Sequence, residues 1–346
     1  MNLQTLVRPN IWSLAPYSSA RNEFTGDASV FLDANENPYN APYNRYPDPL
    51  QTKVKALISE MRDVPADRIF LGVGSDECID LAYRIFCEPG VDNVVAMAPT
   101  YGMYRVCADI NNVEYRTVEL SDNYALDPEA MLAACDGNTK LMWICSPNNP
   151  TGNAFDVDQI AALCKRFDGI VMVDEAYIDF SERGSMLSRI GELPNVIVMQ
   201  TFSKAWGSAA VRLGMAFASR EIIAIYNKVK YPYNVNELTQ RYAIEILSRC
   251  GDVADWVSTL LSNRQQMSDG LKRMKCVQRV YPSDANFLLV RVDDADALYS
   301  YLRDCGIIVR NRNRVEKCIG CLRITIGTAQ ENEQLLKAIN DYDSKR

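Results

Sequence analysis

Five short apolar runs, at 94–98, 141–145, 170–173, 196–200 and 213–218, recur through the middle of the chain and limit its fold more than any other feature. They read VVAMA, LMWIC, IVMV, VIVMQ and LGMAFA, almost without polar interruption. A strand that is apolar at every position must be covered on both faces, and that is the signature of a parallel sheet. Amphipathic stretches such as 156–167 lie between several of the runs and supply the covering helices. The sequence therefore predicts an α/β fold: a large, mostly parallel sheet with helices on both faces. A long helical pattern spans about 253–274. After it the order becomes strand 287–292, helix 294–305, strand 307–310, strand 321–326 and a final helix from about 329, which reads as a smaller α+β domain. The first 30 residues are rich in Pro, Ser and Asn and read as an arm over the surface. The expected organisation is an arm at 1–30, a large domain at 31–262 and a small C-terminal domain at 263–346 that packs with the arm.

Composition narrows the partners. Among 346 residues, 37 Lys and Arg stand against 44 Asp and Glu, for a net charge of −7. Nucleic acid is not expected as a partner, because phosphate backbones need a basic surface; a local basic pocket is still compatible with this balance. No apolar run reaches the roughly 18 residues of a membrane span. The N-terminus has no basic segment leading into an apolar one, so neither membrane nor secretion is expected. Eleven cysteines, several inside apolar runs, read as buried free thiols in a reducing cytoplasm. The pair Cys318 and Cys321 has redox or zinc spacing, but it has no second pair, and the chain contains no histidine. No metal site is expected. Without imidazole, proton transfer near neutral pH must use Lys, a carboxylate, Tyr, Cys or a cofactor.

Four segments carry candidate chemistry. Thr201-Phe-Ser203-Lys204 and Arg212 follow the run at 196–200, so Lys204 sits at a strand end, where ligands bind in open α/β sheets. By itself such a lysine is usually a solvated loop residue. Asp174-Glu175-Ala-Tyr177 ends another strand; Asp174 is either a helix cap or a carboxylate held against a cationic ring nitrogen. Ser146-Pro-Asn-Asn149-Pro-Thr-Gly152 has the composition of a turn. Gly72-Val-Gly74-Ser75-Asp76-Glu77 leads into a helix, either as a simple capped start or as a backbone cradle for a phosphate.

In this order the four segments resemble the fold-type I, aspartate-aminotransferase-like pyridoxal phosphate enzymes, over nearly the whole chain. Further segments narrow the resemblance to the histidinol-phosphate aminotransferases. They are Asn44-Arg-Tyr46-Pro-Asp, Ala98-Pro-Thr-Tyr101-Gly-Met-Tyr104, Gly306-Ile-Ile-Val-Arg310 and Cys321-Leu-Arg323-Ile-Thr-Ile-Gly-Thr328. Leu14-Ala-Pro16-Tyr17 followed by Arg21, and Leu32-Asp-Ala-Asn35-Glu-Asn-Pro38, also resemble that family.

The resemblance implies pyridoxal 5'-phosphate as cofactor, carried covalently on Lys204. Lys204 would also be the base and acid that moves the substrate proton. Asp174 would keep the pyridine nitrogen protonated. Tyr177 and Asn149 would bond the ring oxygen, and Tyr101 would stack on the ring. The backbone at Gly74, Ser75 and Asp76, the Ser203 hydroxyl and the Arg212 fork would hold the phosphate. Tyr46 would reach the cofactor phosphate of a second copy, which implies a homodimer with shared active sites. Taken alone, Tyr46 is an aromatic in a Pro-rich loop. Arg323 would clamp a carboxylate or phosphate of the substrate, with Arg310, Tyr17 and Asn35 beside it. Arg312 and Arg314 read as surface charges.

The implied reaction transfers the amino group of L-histidinol phosphate to 2-oxoglutarate, giving imidazole acetol phosphate and glutamate in histidine biosynthesis, with ping-pong kinetics. Alternatives are a threonine-phosphate decarboxylase or an aromatic aminotransferase of the same superfamily. A cofactor-binding regulatory module would need a DNA-binding extension, and the arm is too short and Pro-rich for one.

Overall fold

A computed structural model describes residues 2–17 and 29–345. Residue 1 and residues 18–28 of the expected arm, Arg21 among them, lie outside the described residues.

The large sheet has seven strands in the order β1-β7-β6-β5-β4-β2-β3. These are β1 Ile69–Val73, β2 Asn93–Ala98, β3 Glu114–Glu119, β4 Thr139–Cys145, β5 Ile170–Asp174, β6 Val196–Thr201 and β7 Leu213–Phe217. Pairs β2·β3, β2·β4, β4·β5 and β5·β6 are parallel; β7 runs antiparallel to both β6 and β1. The apolar runs are all in this sheet. β5, β6 and β7 are buried at every position, as strands covered on both faces must be. The covering helices include α1 Thr52–Arg62, α2 Gly74–Phe86, α3 Met103–Ile110, α4 Pro128–Ala133, α5 Val157–Arg166, α6 Arg220–Val229 and α7 Glu237–Leu247. α5 starts where Asp156 caps the N–H groups of Asp158 and Gln159.

Helix α8, Cys250–Leu271, leads to a second sheet of order β10-β11-β9-β8, antiparallel throughout. Its strands are β8 Val277–Val280, β9 Phe287–Val292, β10 Arg310–Asn311 and β11 Cys321–Thr325, with helices α9 Ala295–Asp304 and α10 Ala329–Ser344 packed on it. This sheet has its own apolar core around Leu288, Val290, Leu302, Leu322 and Ile339.

One strand is shorter than its sequence suggests. The expected strand at 307–310 pairs only at Arg310 and Asn311. Ile307 is drawn back into the end of α9, its N–H donating to Leu302 at 2.8 Å, after Gly306 turns the chain at φ +77°. An apolar sequence alone does not make a strand where the helix C-terminus claims the same backbone groups.

Described residues of the arm lie on the large sheet's helices. Val7 is buried, Arg8 pairs with Glu88 at 3.1 Å and Lys228 Nζ donates to the Trp12 carbonyl at 2.6 Å. Among the described residues, no helix is long and apolar enough to cross a membrane.

Candidate active site

Strand register aligns the chemistry. Cys145, at the end of β4, sits opposite Asp174 at the end of β5, and Asp174 sits opposite Met199 near the end of β6. The loops that follow these strands, with the start of α2 and the β10–β11 edge, enclose a cavity of about 340 Å³. Ser75, Asp76, Tyr101, Asn149, Asp174, Tyr177, Ser203, Lys204, Arg212, Arg310 and Arg323 all line it. Eleven of the residues singled out from sequence thus meet at the C-terminal ends of parallel strands, where open α/β sheets bind ligands.

Asp174 is buried. Its Oδ1 accepts the Ala176 N–H at 3.0 Å, and its Oδ2 accepts the Tyr104 hydroxyl at 2.6 Å. Burial raises its pKa, and the Tyr104 bond opposes that rise. Lys204 shares the cavity, with Nζ 5.4 Å from the centre of the Tyr177 ring. Burial, then the Arg323 guanidinium, lowers its pKa. A lysine so placed gives up its proton more readily than one in water, as a nucleophile or base requires.

The phosphate end is a backbone feature. Gly74 opens α2 at φ +72°, and its N–H donates to the Arg212 carbonyl at 2.9 Å. A Cβ at Gly74 would come within 2.6 Å of Arg212 Nη2, so glycine is what lets the guanidinium lie against the helix start. Ser203 Oγ lies 3.5 Å from Arg212 Nη1. N–H groups at a 13-residue helix start, a hydroxyl and a guanidinium form an anion cradle. Asp76 accepts from both Arg212 at 3.2 Å and the Tyr101 hydroxyl at 3.2 Å, which ties the cradle to the aromatic wall.

At the other end Arg323 donates to Asn149 Oδ1 at 2.5 Å and stacks 5.3 Å from the Phe287 ring. Arg323 stands directly opposite Arg310 across the β10·β11 pair. The lining holds five basic side chains and two acidic ones in a chain of net charge −7. This is the local basic pocket compatible with the overall balance. The residues present therefore fit a phosphorylated pyridine aldehyde: an acid for the ring nitrogen, an amine for the aldehyde, and a cradle for the phosphate.

Four expected site residues do not line this cavity within one chain: Gly74, which sits behind Ser75 at the helix start, and Asn35, Tyr46 and Tyr17. Asn35 and Tyr46 line a separate surface cleft with Tyr43, Asn236 and Leu238. There the Tyr46 ring stacks on Tyr233 at 4.4 Å. Tyr17 is 70% exposed. Two other residues gain a place. Arg312, expected as a surface charge, is half-buried and lines the cavity, because the edge strand turns it inward beside Arg310; Arg314 is exposed as expected. Tyr104 was visible only as part of a motif, and nothing local in the sequence marks it as the partner of an aspartate 70 residues on. Cys318 and Cys321 are buried and unbridged.

The family model for Aminotransferase class I and II matches residues 21–339. A curated relative from Bacteroides thetaiotaomicron, called histidinol-phosphate aminotransferase, is 56% identical over 98% of this chain and 99% of its own length. Among solved structures, histidinol-phosphate aminotransferase from Clostridium acetobutylicum superposes with a TM-score of 0.81 at 21% identity, covering 88% of this chain and 92% of that one. The enzyme of that name from Sinorhizobium meliloti, solved with pyridoxal-5'-phosphate, gives 0.79 at 21% identity, covering 87% and 83%. At that identity the two structures speak for the fold, which is that of the fold-type I aminotransferases. On the family match and the full-length relative together, this chain belongs to the class I and II aminotransferases.

Proposed function

We propose that the chain is a pyridoxal-phosphate-dependent transaminase that takes the amino group of L-histidinol phosphate and delivers it to 2-oxoglutarate. The observation that carries this reading is a single cavity with the Lys204 amine between a phosphate cradle at Arg212 and an arginine-rich wall at Arg310 and Arg323. The names of close, full-length relatives support the same substrate.

The cofactor, when bound, would supply an aldehyde for the substrate amine and a ring that withdraws electrons from the adjacent carbon. The chain supplies everything else. Lys204 Nζ would carry the cofactor, then act as base and take the proton from the carbon that bears the amine. Its lowered pKa leaves more of the neutral amine for that task. Asp174 would hold the ring nitrogen protonated, and a cationic partner would keep this buried carboxyl ionised. Tyr177 and Asn149 would bond the ring oxygen, Tyr101 would cover the ring face, and Gly74, Ser75, Asp76, Ser203 and Arg212 would hold the phosphate. Arg323 and Arg310 would bind the substrate anion, phosphate in one half-reaction and carboxylate in the other.

Tyr46, Asn35 and Tyr17 would complete the cavity of a second copy, which makes the working unit a homodimer. The division at 31–262 and 263–346 would let the smaller unit carry Arg310 and Arg323 toward Lys204. Cytoplasmic residence and small-molecule partners, without nucleic acid or membrane, suit a biosynthetic enzyme of this kind.

The deciding experiment is a donor panel with 2-oxoglutarate: histidinol phosphate, phenylalanine, aspartate and threonine phosphate. Histidinol phosphate should give the highest kcat/KM. A higher value for phenylalanine would move the assignment to an aromatic aminotransferase. Carbon dioxide released from threonine phosphate would move it to a decarboxylase.

A further inference from the structure

The segment Arg310-Asn-Arg-Asn313 runs from the two-residue strand β10 into a turn, and its arginines line the cavity while its asparagines bond away from it. The asparagines are held from one side. Asn311 Nδ2 and Asn313 Nδ2 donate to the two oxygens of one carboxylate, Asp296 Oδ1 at 2.6 Å and Oδ2 at 2.9 Å. Asp296 lies in the first turn of α9, so a single acid pins both asparagines to that helix. The Arg312 N–H donates to the Cys321 carbonyl at 2.9 Å, which carries the β10·β11 pairing one residue further. Arg310 and Arg312 are thereby left on the cavity side with Arg323.

Three guanidiniums share this wall, and among the described residues no carboxylate pairs with any of them. Like charges facing each other on a sheet repel, so the wall is built for an anion that arrives from outside. The three differ in how they are served. Arg323 has Asn149 as acceptor. Arg310 is exposed within one chain. Arg312 has neither: it is half-buried and, among the described residues, none of its guanidinium nitrogens meets an acceptor; its Nε is buried unpartnered, as is that of Arg323. A half-buried guanidinium without an acceptor is costly, and a ligand oxygen placed at its terminal nitrogens recovers that cost. Burial, and next the Arg323 and Arg310 guanidiniums, push the Arg312 pKa down to about 10, so it is still cationic at neutral pH.

We propose that Arg312 is the principal phosphate-recognising residue of the substrate site and sets the preference for a phosphorylated amine over an amino acid. The proposal rests on the reading of the donor as a phosphate monoester. A carboxylate brings one charge and two oxygens, and the single fork of Arg323 meets both. A phosphate monoester brings close to two charges and three free oxygens. The extra charge and the third oxygen need a second desolvated guanidinium, and Arg312 is the half-buried one whose nitrogens meet no acceptor among the described residues. Arg310, which within one chain is open to solvent, is there screened and contributes less.

The test compares Arg312→Ala, Arg312→Lys and Arg310→Ala as holoenzymes. Each is assayed with histidinol phosphate and with glutamate as donor, and with inorganic phosphate as competing ligand. Arg312→Ala should lower kcat/KM for histidinol phosphate by about ten- to a hundredfold, mostly through KM, and weaken phosphate inhibition comparably. The glutamate value should change by less than about threefold, as expected for a charge its carboxylate does not need. Arg312→Lys should recover part of the loss, since it keeps the charge without the fork, and Arg310→Ala should cost less than Arg312→Ala. Equal losses for the two donors, no loss, or a larger loss at Arg310 would overturn the proposal. So would a lowered melting temperature with an unchanged ratio between donors, because Arg312 would then only pack. If the wild-type enzyme does not transaminate histidinol phosphate, the functional assignment fails; phosphate inhibition against the donor it does accept then decides the role of Arg312 separately.

Discussion

The Tyr104 hydroxyl donates to Asp174 Oδ2 at 2.6 Å, between two buried side chains whose residues are 70 apart in sequence. The phenol is fixed by its neighbours: its ring stacks on Trp143 at 4.6 Å and meets Tyr101 edge-on at 5.6 Å. Tyr101, which would cover the cofactor ring, and Asp174, which would hold its nitrogen, are thus linked through one residue. Tyr104 positions the acid and favours its ionised form.

Tyr104→Phe keeps the ring contacts and removes that bond. The Asp174 pKa, already raised by burial, should rise further, because the opposing bond is gone. Asp174 must be ionised to hold a protonated ring nitrogen, so the acid limb of the kcat–pH profile should move to higher pH. At neutral pH kcat should fall about tenfold, the scale of a lost hydrogen bond to a charged group of roughly 1.5 kcal/mol. An unchanged profile would mean that Tyr104 only fills space.

Lys204→Met should abolish the visible absorbance of the lysine-linked cofactor and turnover together. The cofactor-free variant tests the electrostatics separately. Lys204 in the folded chain has a pKa below its ordinary 10.5, burial being the main cause. Between the folded value and 10.5 the unfolded chain binds the extra proton, so the wild type gains stability as pH rises through that window and is penalised below it. The variant carries no such penalty. It should melt above the cofactor-free wild type near neutral pH, with the gap closing toward pH 10, as followed by thermal unfolding. A gap that does not depend on pH would point to packing alone.

The sheet and its active edge were legible because they follow from local rules. Runs that are apolar at every position specify buried parallel strands, and Lys204, Asp174 and Asn149 lie at or just beyond their ends, where ligands bind. What was hidden depends on partners distant in sequence. Tyr104 reads as one more aromatic on an amphipathic helix, because its role comes from a strand end 70 residues on. Arg312 sits among polar, charged residues and reads as surface; it turns inward because Asp296, on the preceding helix, holds the asparagines on either side. The strand expected at 307–310 was overstated for a related reason, since the end of α9 takes the Ile307 N–H. For Tyr46, Asn35 and Tyr17 the deciding contacts would lie on another copy of the chain.

Glu175, next to Asp174 but turned into the protein, gives a pH test away from the chemistry. Its carboxylate accepts the Ser185 hydroxyl at 2.6 Å, the Met186 N–H at 2.7 Å and the Gln200 amide at 3.0 Å. Burial nevertheless pushes its pKa up from 4.5 to about 7. The folded chain holds the extra proton in that window, so stability falls as pH rises from 4.5 to 7. A shift of that size corresponds to at most roughly 3 kcal/mol. Glu175→Gln has no charge to bury, and a flip of Gln200, whose Oε1 is buried without a partner, would offer an acceptor to the new amide. The variant should be at least as stable as the wild type at pH 8 and lose that advantage below about pH 5. Denaturant melts at the two pH values measure it, and a variant equally weakened at both would refute the account.

Asp296 gives the sharpest test of how the arginine wall is aimed. Its carboxylate is exposed and does not line the cavity, yet both oxygens are used by Asn311 and Asn313, which flank Arg312. Those bonds hold its pKa below the ordinary value, Asn311 first and Asn313 next. Asp296→Ala releases both asparagines and leaves Arg310 and Arg312 unchanged in chemistry but free to rotate. An exposed site costs little global stability, typically within about 0.5 kcal/mol. A guanidinium that must be ordered by the ligand, however, loses roughly 0.5–1.5 kcal/mol of binding free energy. The expected result is a three- to tenfold rise in KM for histidinol phosphate with kcat nearly unchanged. Asp296→Asn should do less harm, because one oxygen still accepts. A fall in kcat without a change in KM would place the effect on the chemical step and show that the clamp does not aim the arginines.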